Sequence, residues 1–158
     1  MWLTLRKIFQ QLSSDPNVRA IIISGAGEKA FTAGLDVQAA SQGILTSGNE
    51  DPARKATKLR RHILEFQECI TAVEKCEKPV IALLHGYSYG LAIDLSSACD
   101  IRLCASNTNF SVKEVDIGLA ADIGTLSRLP KIVRSASWVK DICPVSYTHL
   151  TLPTILRV

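Results

Sequence analysis

The chain has 158 residues, 47% hydrophobic and 21% charged, which fits one folded domain with a real core and excludes a disordered polypeptide. A formal net charge of +3 is too small to imply nucleic-acid binding, though it is compatible with a small anionic ligand. Cys69, Cys76, Cys99, Cys104 and Cys143 form no C-x-x-C pair and read as reduced thiols packed in a core, in an intracellular compartment. His62, His85 and His149 lack ligand spacing, which argues against zinc. No apolar run approaches the roughly 18 residues of a membrane span. The first residues enter an amphipathic pattern directly and resemble neither a signal peptide nor a full transit peptide, so the chain reads as starting inside a domain.

Leu5, Ile8, Phe9 and Leu12 recur at helical spacing and predict one apolar helix face, broken at Ser13–Asn17. The β-branched run Val18–Ser24 predicts a strand covered on both faces, followed by a turn over Gly25–Lys29. A helix feeding a buried strand points to an α/β layered architecture. In Ala30–Val37, small residues around Gly34 let a ligand approach the backbone, and Asp36 is placed to cap a following helix. Ser41–Pro52 reads as a loop, and Ala53–Cys76 as one long helix with Leu59, Ile63, Phe66, Ile70 and Val73 on one face. Its first half carries Arg54, Lys55, Lys58, Arg60 and Arg61, which read as a solvated face or as a phosphate attractor. Val80–Leu84 is a second buried strand, His85–Gly90 a turn, and Leu91–Cys99 an apolar helix with a single carboxylate, Asp94. A charge on so apolar a helix needs a partner or a purpose. Ile101–Ala105 is a third strand, and the chain contains no internal repeat visible in its residues.

The run Val112–Gly124 holds Glu114 and Asp122 eight positions apart, each among apolar neighbours. Such surroundings disfavour a carboxylate's charge and bring its pKa towards the range useful for proton transfer. The bland alternatives are a strand-end charge for Glu114 and a helix N-cap for Asp122. Two loops following buried strands, Phe31–Asp36 and Gly86–Asp94, present peptide N–H groups among small residues. Two such groups converging on one carbonyl oxygen would stabilise an enolate as an α-proton leaves.

The segments Lys29–Asp36, Lys78–Ala82 with His85-Gly86, and Asp94 with Cys99–Arg102 resemble the enoyl-CoA hydratase/isomerase (crotonase) superfamily. The run from Val112 to Lys131 is similar to its Δ3,5-Δ2,4-dienoyl-CoA isomerase branch. The resemblance implies a repeated ββα spiral, incomplete at both ends, over residues 1–143. Residues 144–158 carry no family pattern and read as an extraneous tail. It implies oxyanion N–H groups from Leu35 and Leu91, with Gly90-Leu91-Ala92 standing where many members have three glycines. Ala33, Gly34, Leu35, Asp36 and Val37 would line the substrate, and Lys29 would reach a CoA phosphate or remain a solvated turn lysine. The acids carry over as Asp94, Glu114 and Asp122. Hydratases use the first two and have glycine at the third position.

The implied reaction moves two conjugated double bonds of a dienoyl-CoA during β-oxidation of unsaturated fatty acids, in a mitochondrion or peroxisome. CoA is part of the substrate, and no separate cofactor is implied. The complete family protein is implied to be a homo-oligomer, a trimer or hexamer. Enoyl-CoA hydratase or Δ3-Δ2-enoyl-CoA isomerase activity is the alternative within the family. An inactive truncated fragment or a non-catalytic CoA- or RNA-binding member is the alternative of another class.

Overall fold

The computed structural model describes residues 2–36 and 51–143, so Val37 and the 144–158 tail lie outside the described residues. Helix α1 (Trp2–Ser14) precedes strands β1 (Ile21–Ser24) and β2 (Ala30–Thr32) and the long helix α2 (Pro52–Glu74). Strands β3 (Val80–Leu84) and β4 (Tyr87–Tyr89) lead to α3 (Leu91–Ser97). Strands β5 (Ile101–Cys104) and β6 (Asn109–Ser111), a 3₁₀ turn over Val115–Ile117, α4 (Thr125–Val133) and α5 (Ala136–Ile142) complete the described chain. The first strand of each pair joins one parallel sheet, ordered β1-β3-β5, and the second joins another, ordered β2-β4-β6. Strand, strand, helix therefore recurs three times, and each recurrence stacks on the one before.

Local chemistry sets the element ends. Asp15 turns the chain after α1, its carboxylate accepting from the Asn17 amide at 2.8 Å and its carbonyl from the Val18 amide at 3.2 Å. That turn consumes Val18–Ala20, so β1 begins three residues later than the β-branched run suggests. Asp51 caps α2 by accepting from the Arg54 amide at 3.1 Å, with Pro52 in the first turn. The helix stops at Glu74, leaving Cys76 beyond it.

The main core joins Phe9 of α1, Ile70 and Val73 of α2, Val80 and Ala82 of β3, and Ala92 of α3. Trp2 packs its ring on Phe66 at 4.3 Å and on His62 at 4.8 Å, tying α1 to α2. Only the C-terminal half of α2 supplies fully buried positions, while Leu59 and Leu64 are exposed. Ile8 of α1 likewise faces outward, so the apolar helix faces are narrower than their spacing suggests. The expectation that β1 is covered on both faces also fails. Ile21 is buried but Ile22 is 62% exposed. Register aligns Ile22 with Ile81 and Ile81 with Ile101, which is 43% exposed, so an isoleucine row crosses one partly open sheet face. Among the thiols, Cys69, Cys99 and Cys143 are buried as expected, whereas Cys76 is half-buried and Cys104 exposed.

Ile70 is 1% exposed at the centre of this packing, and Leu64 on the same helix is 47% exposed. Replacing Ile70 by Ala should cost about 2–5 kcal/mol through the cavity it leaves. Leu64→Ala should stay within about 0.5 kcal/mol. Urea denaturation of the two variants reads the difference.

Candidate active site

Each turn of the spiral contributes the loop that follows its second strand. After β2 comes Gly34, after β4 comes Gly90, and after β6 comes Glu114. Gly34 has φ +92°, and a side chain there would stand 3.3 Å from the Tyr89 carbonyl, 3.7 Å from the Gly90 α-carbon and 3.8 Å from the Leu91 nitrogen. Gly90 has φ +56°, and a side chain there would meet Glu114 Oε1 at 3.2 Å. Both positions need a left-handed backbone and a missing Cβ, which only glycine supplies without strain. The two loops named from sequence therefore converge, and Glu114 closes over their meeting point.

Leu91 is the first residue of α3, where an N–H has no carbonyl partner within the helix. The Gly34 amide donates to Thr32 Oγ1 at 3.2 Å, holding the first loop against the end of β2. Leu35 follows with its side chain exposed.

Asp94 sits in the first turn of α3 and is 1% exposed. Its Oδ1 accepts from the Thr125 amide at 2.6 Å and from Thr125 Oγ1 at 2.8 Å. Burial raises its pKa, and the two Thr125 bonds and the Arg128 charge oppose that rise. Asp122 pushes it up again, which places a third carboxylate within electrostatic reach.

Glu114 is half-buried and N-caps the 3₁₀ turn Val115–Ile117, three residues beyond the end of β6, so it is not a strand-end charge. Burial is the main cause that raises its pKa. Backbone N–H bonds from its own residue and Lys113 oppose this, and the charges of Asp94 and Asp122 add to it. Its Oε2 is buried without a hydrogen-bond partner. Asp122 is exposed, and it is not a helix cap, since Gly124 precedes the first residue of α4. Its carbonyl accepts from Gln67 Nε2 of α2 at 2.7 Å, and it lines a hollow with Gln67, Thr71 and Arg128.

Three residues to which the sequence gives no role in the site surround the carboxylates. Thr125 satisfies Asp94, Arg128 pairs with Glu74 Oε2 at 2.7 and 2.9 Å, and the buried Cys143 caps the C-terminus of α5 within electrostatic reach of Glu114 and Asp94. Burial pushes the Cys143 thiol up to about 11, with Glu114 and Asp94 adding to it. Lys29, in contrast, stays in an exposed turn before β2, where its carbonyl accepts from the Tyr87 amide at 3.0 Å. Ala33 and Asp36 are exposed on either side of Gly34 and Leu35. Among the described residues, no group of three or more His, Cys, Asp or Glu side chains is placed to hold a metal ion.

A sequence profile described as enoyl-CoA hydratase/isomerase matches residues 2–143. The chain belongs to the enoyl-CoA hydratase/isomerase family. It is 48% identical over 141 residues to the mitochondrial Δ3,5-Δ2,4-dienoyl-CoA isomerase of Rattus norvegicus, covering 89% of this chain and 43% of that protein. It is 46% identical over 132 residues to the peroxisomal Δ3,5-Δ2,4-dienoyl-CoA isomerase of Arabidopsis thaliana, covering 83% of this chain and 47% of that one. A putative enoyl-CoA hydratase from Streptomyces coelicolor superposes with a TM-score of 0.79 at 28% identity, over 92% of this chain and 50% of the other. The chain thus spans less than half the length of these two curated relatives. Successive turns of the spiral thus bring together the Gly34 loop, the start of α3 at Leu91 and the half-buried Glu114.

The raised Glu114 group has a thermodynamic signature. Above the ordinary value of 4.5, the unfolded chain loses a proton that folded Glu114 still holds, so stability falls as pH rises through that window. Glu114→Gln should therefore gain stability relative to the parent at neutral pH and lose that advantage below 4.5. Thermal melts of both proteins across this pH range measure it.

Proposed function

We propose that the protein carrying this chain isomerises 3,5-dienoyl-CoA thioesters to 2,4-dienoyl-CoA thioesters by proton transfer between two carboxylates. The observation that carries this reading is Asp122, a third acid beside the Asp94 and Glu114 pair, on a chain 46–48% identical to proteins named for that reaction.

The chemistry asks for two separated acids. A proton leaves C2, the electrons delocalise through the thioester as a conjugated enolate, and a proton arrives at C6. C2 and C6 are roughly 5–6 Å apart by ordinary bond lengths, too far for one carboxylate to serve both. Glu114 takes the C2 proton, since burial and its neighbours' charges make it a stronger base than a solvated glutamate. The unpartnered Glu114 Oε2 supports that role, because it holds lone pairs free to accept. Asp122 returns a proton at C6, and Asp94 adds fixed negative charge that tunes the pair. The Leu35 and Leu91 amides take the thioester oxygen as it gains charge, a use supported by the contact between their loops.

CoA is carried by the substrate, with Ala33 to Asp36 along its path and Lys29 near a phosphate, and no separate cofactor takes part. The reaction belongs to a mitochondrion or a peroxisome, a reading supported by relatives named for each.

In the protein that carries this sequence, Asp122→Asn should lower the rate of 3,5- to 2,4-dienoyl-CoA conversion by about 10²–10⁴-fold, the usual worth of a general acid. Product absorbance follows the reaction. Unchanged turnover in Asp122→Asn, or water addition to a 2-enoyl-CoA as the dominant activity of the parent, would remove this reading in favour of hydration.

A further inference from the structure

We propose that Arg128 is a positioning residue: anchored on Glu74 and Thr71 of α2, it fixes Gly124 and Thr125 and through them fixes the Asp94 carboxylate. Its consequence for turnover rests on the isomerase reading above, whereas its geometric basis does not.

Arg128 lies one turn into α4 and is buried, although it carries a full charge. A buried guanidinium needs partners for its donors, and here they come from one neighbouring helix. Nε and Nη2 donate to Glu74 Oε2 at 2.9 and 2.7 Å, and Nη2 donates to Thr71 Oγ1 at 3.0 Å. Thr71 and Glu74 are one turn apart on α2, so the guanidinium is held at two points of that helix. Its other amino group, Nη1, lies over Gly124. A Cβ on Gly124 would overlap Nη1 and would stand 3.6 Å from Asp94 Oδ1. The guanidinium and the Asp94 carboxylate therefore share one glycine-sized gap. The next residue, Thr125, makes both hydrogen bonds to Asp94. The Arg128 amide in turn donates to the Gly124 carbonyl at 2.9 Å, closing the first turn of α4 on itself.

The charged and titratable groups around Asp94 come from several elements. α4 brings Arg128, and α2 brings Glu74 behind it. The segments before α4 bring Asp122 and Glu114, and the C-cap of α5 brings the Cys143 thiol. Arg128 is the cation that lowers the pKa of Asp94 in this set. Held in place, it favours an ionised Asp94, and that charge in turn favours the protonated form of Glu114. An α2–α4 staple with no role in the site would leave both carboxyls indifferent to how Arg128 is anchored.

The test is Glu74→Gln, which removes an exposed-side anchor without touching the core. Removing the anion that pairs with Arg128 leaves that cation less neutralised, which by charge alone should let Asp94 titrate at lower pH. If anchoring of Arg128 sets the geometry, the Asp94 midpoint moves up instead, in the direction given by Arg128→Met. Carboxyl carbon-13 NMR titration of the whole chain reads that midpoint without any substrate. In parallel, both variants should lower kcat for dienoyl-CoA at least about tenfold with KM little changed, the pattern of lost alignment. Arg128→Lys should recover only part of the rate, because an ammonium cannot reproduce the fork. An Asp94 midpoint that falls or stays fixed in Glu74→Gln overturns the proposal, whatever the change in melting temperature. A midpoint that rises while no dienoyl-CoA is converted even by the parent upholds the geometry and discards the isomerase reading.

Discussion

A carboxylate taken out of water must be compensated, and the site of this chain is arranged around one such group, Asp94. It is almost wholly buried on a short apolar helix, and its hydrogen-bond donors come from a residue 31 positions later. That requirement brings the start of α4 against α3. The same contact carries Glu114 and Asp122 to one place, because both lie in the segment that leads from β6 to α4. Burial of a charge is usually a burden on stability, and the network around Asp94 offsets it with two Thr125 bonds and a nearby guanidinium. Burial raises the pKa of both Asp94 and Glu114, and the charges of neighbouring carboxylates add to each rise.

Much of this was legible in the residues. An acid alone on an apolar helix, and two more in an apolar run, stand out because ordinary packing gives no reason for them. Gly34 and Gly90 were legible as loop glycines, and the family resemblance supplied the spiral. What was not legible is instructive. Thr125, Arg128 and Glu74 look like routine helix residues, and they acquire meaning only through partners 31 and 54 positions away. The second sheet is built from three-residue strands, too short for any period of alternation to register. The expectation of a doubly covered first strand failed at Ile22, since a β-branched run looks the same whether its outer face is packed or open.

The basic first half of α2 exposes Arg54, Lys58, Arg60 and Arg61, which fits a solvated face and a phosphate attractor alike. The helix serves the site through its other end. Gln67 holds the Asp122 carbonyl, while Thr71 and Glu74 hold Arg128. One long helix thus carries its basic residues at one end and a set of polar contacts to the site at the other. Its buried Ile70 and Val73 fix the axial position of those contacts relative to the core.

The pairing order β1-β3-β5 and β2-β4-β6 makes the molecule a short solenoid, although no repeat is visible in its residues. In such an array each coil touches chiefly its neighbours, and stability is the sum of coil and interface contributions. The chemistry inherits that one-dimensional character. Gly34, Gly90 and Glu114 follow the second strand of three successive coils and meet one another, so they form a column along the stacking axis. A column of this kind has no partial version. Fraying of a single end coil erases it entirely while leaving most of the secondary structure in place.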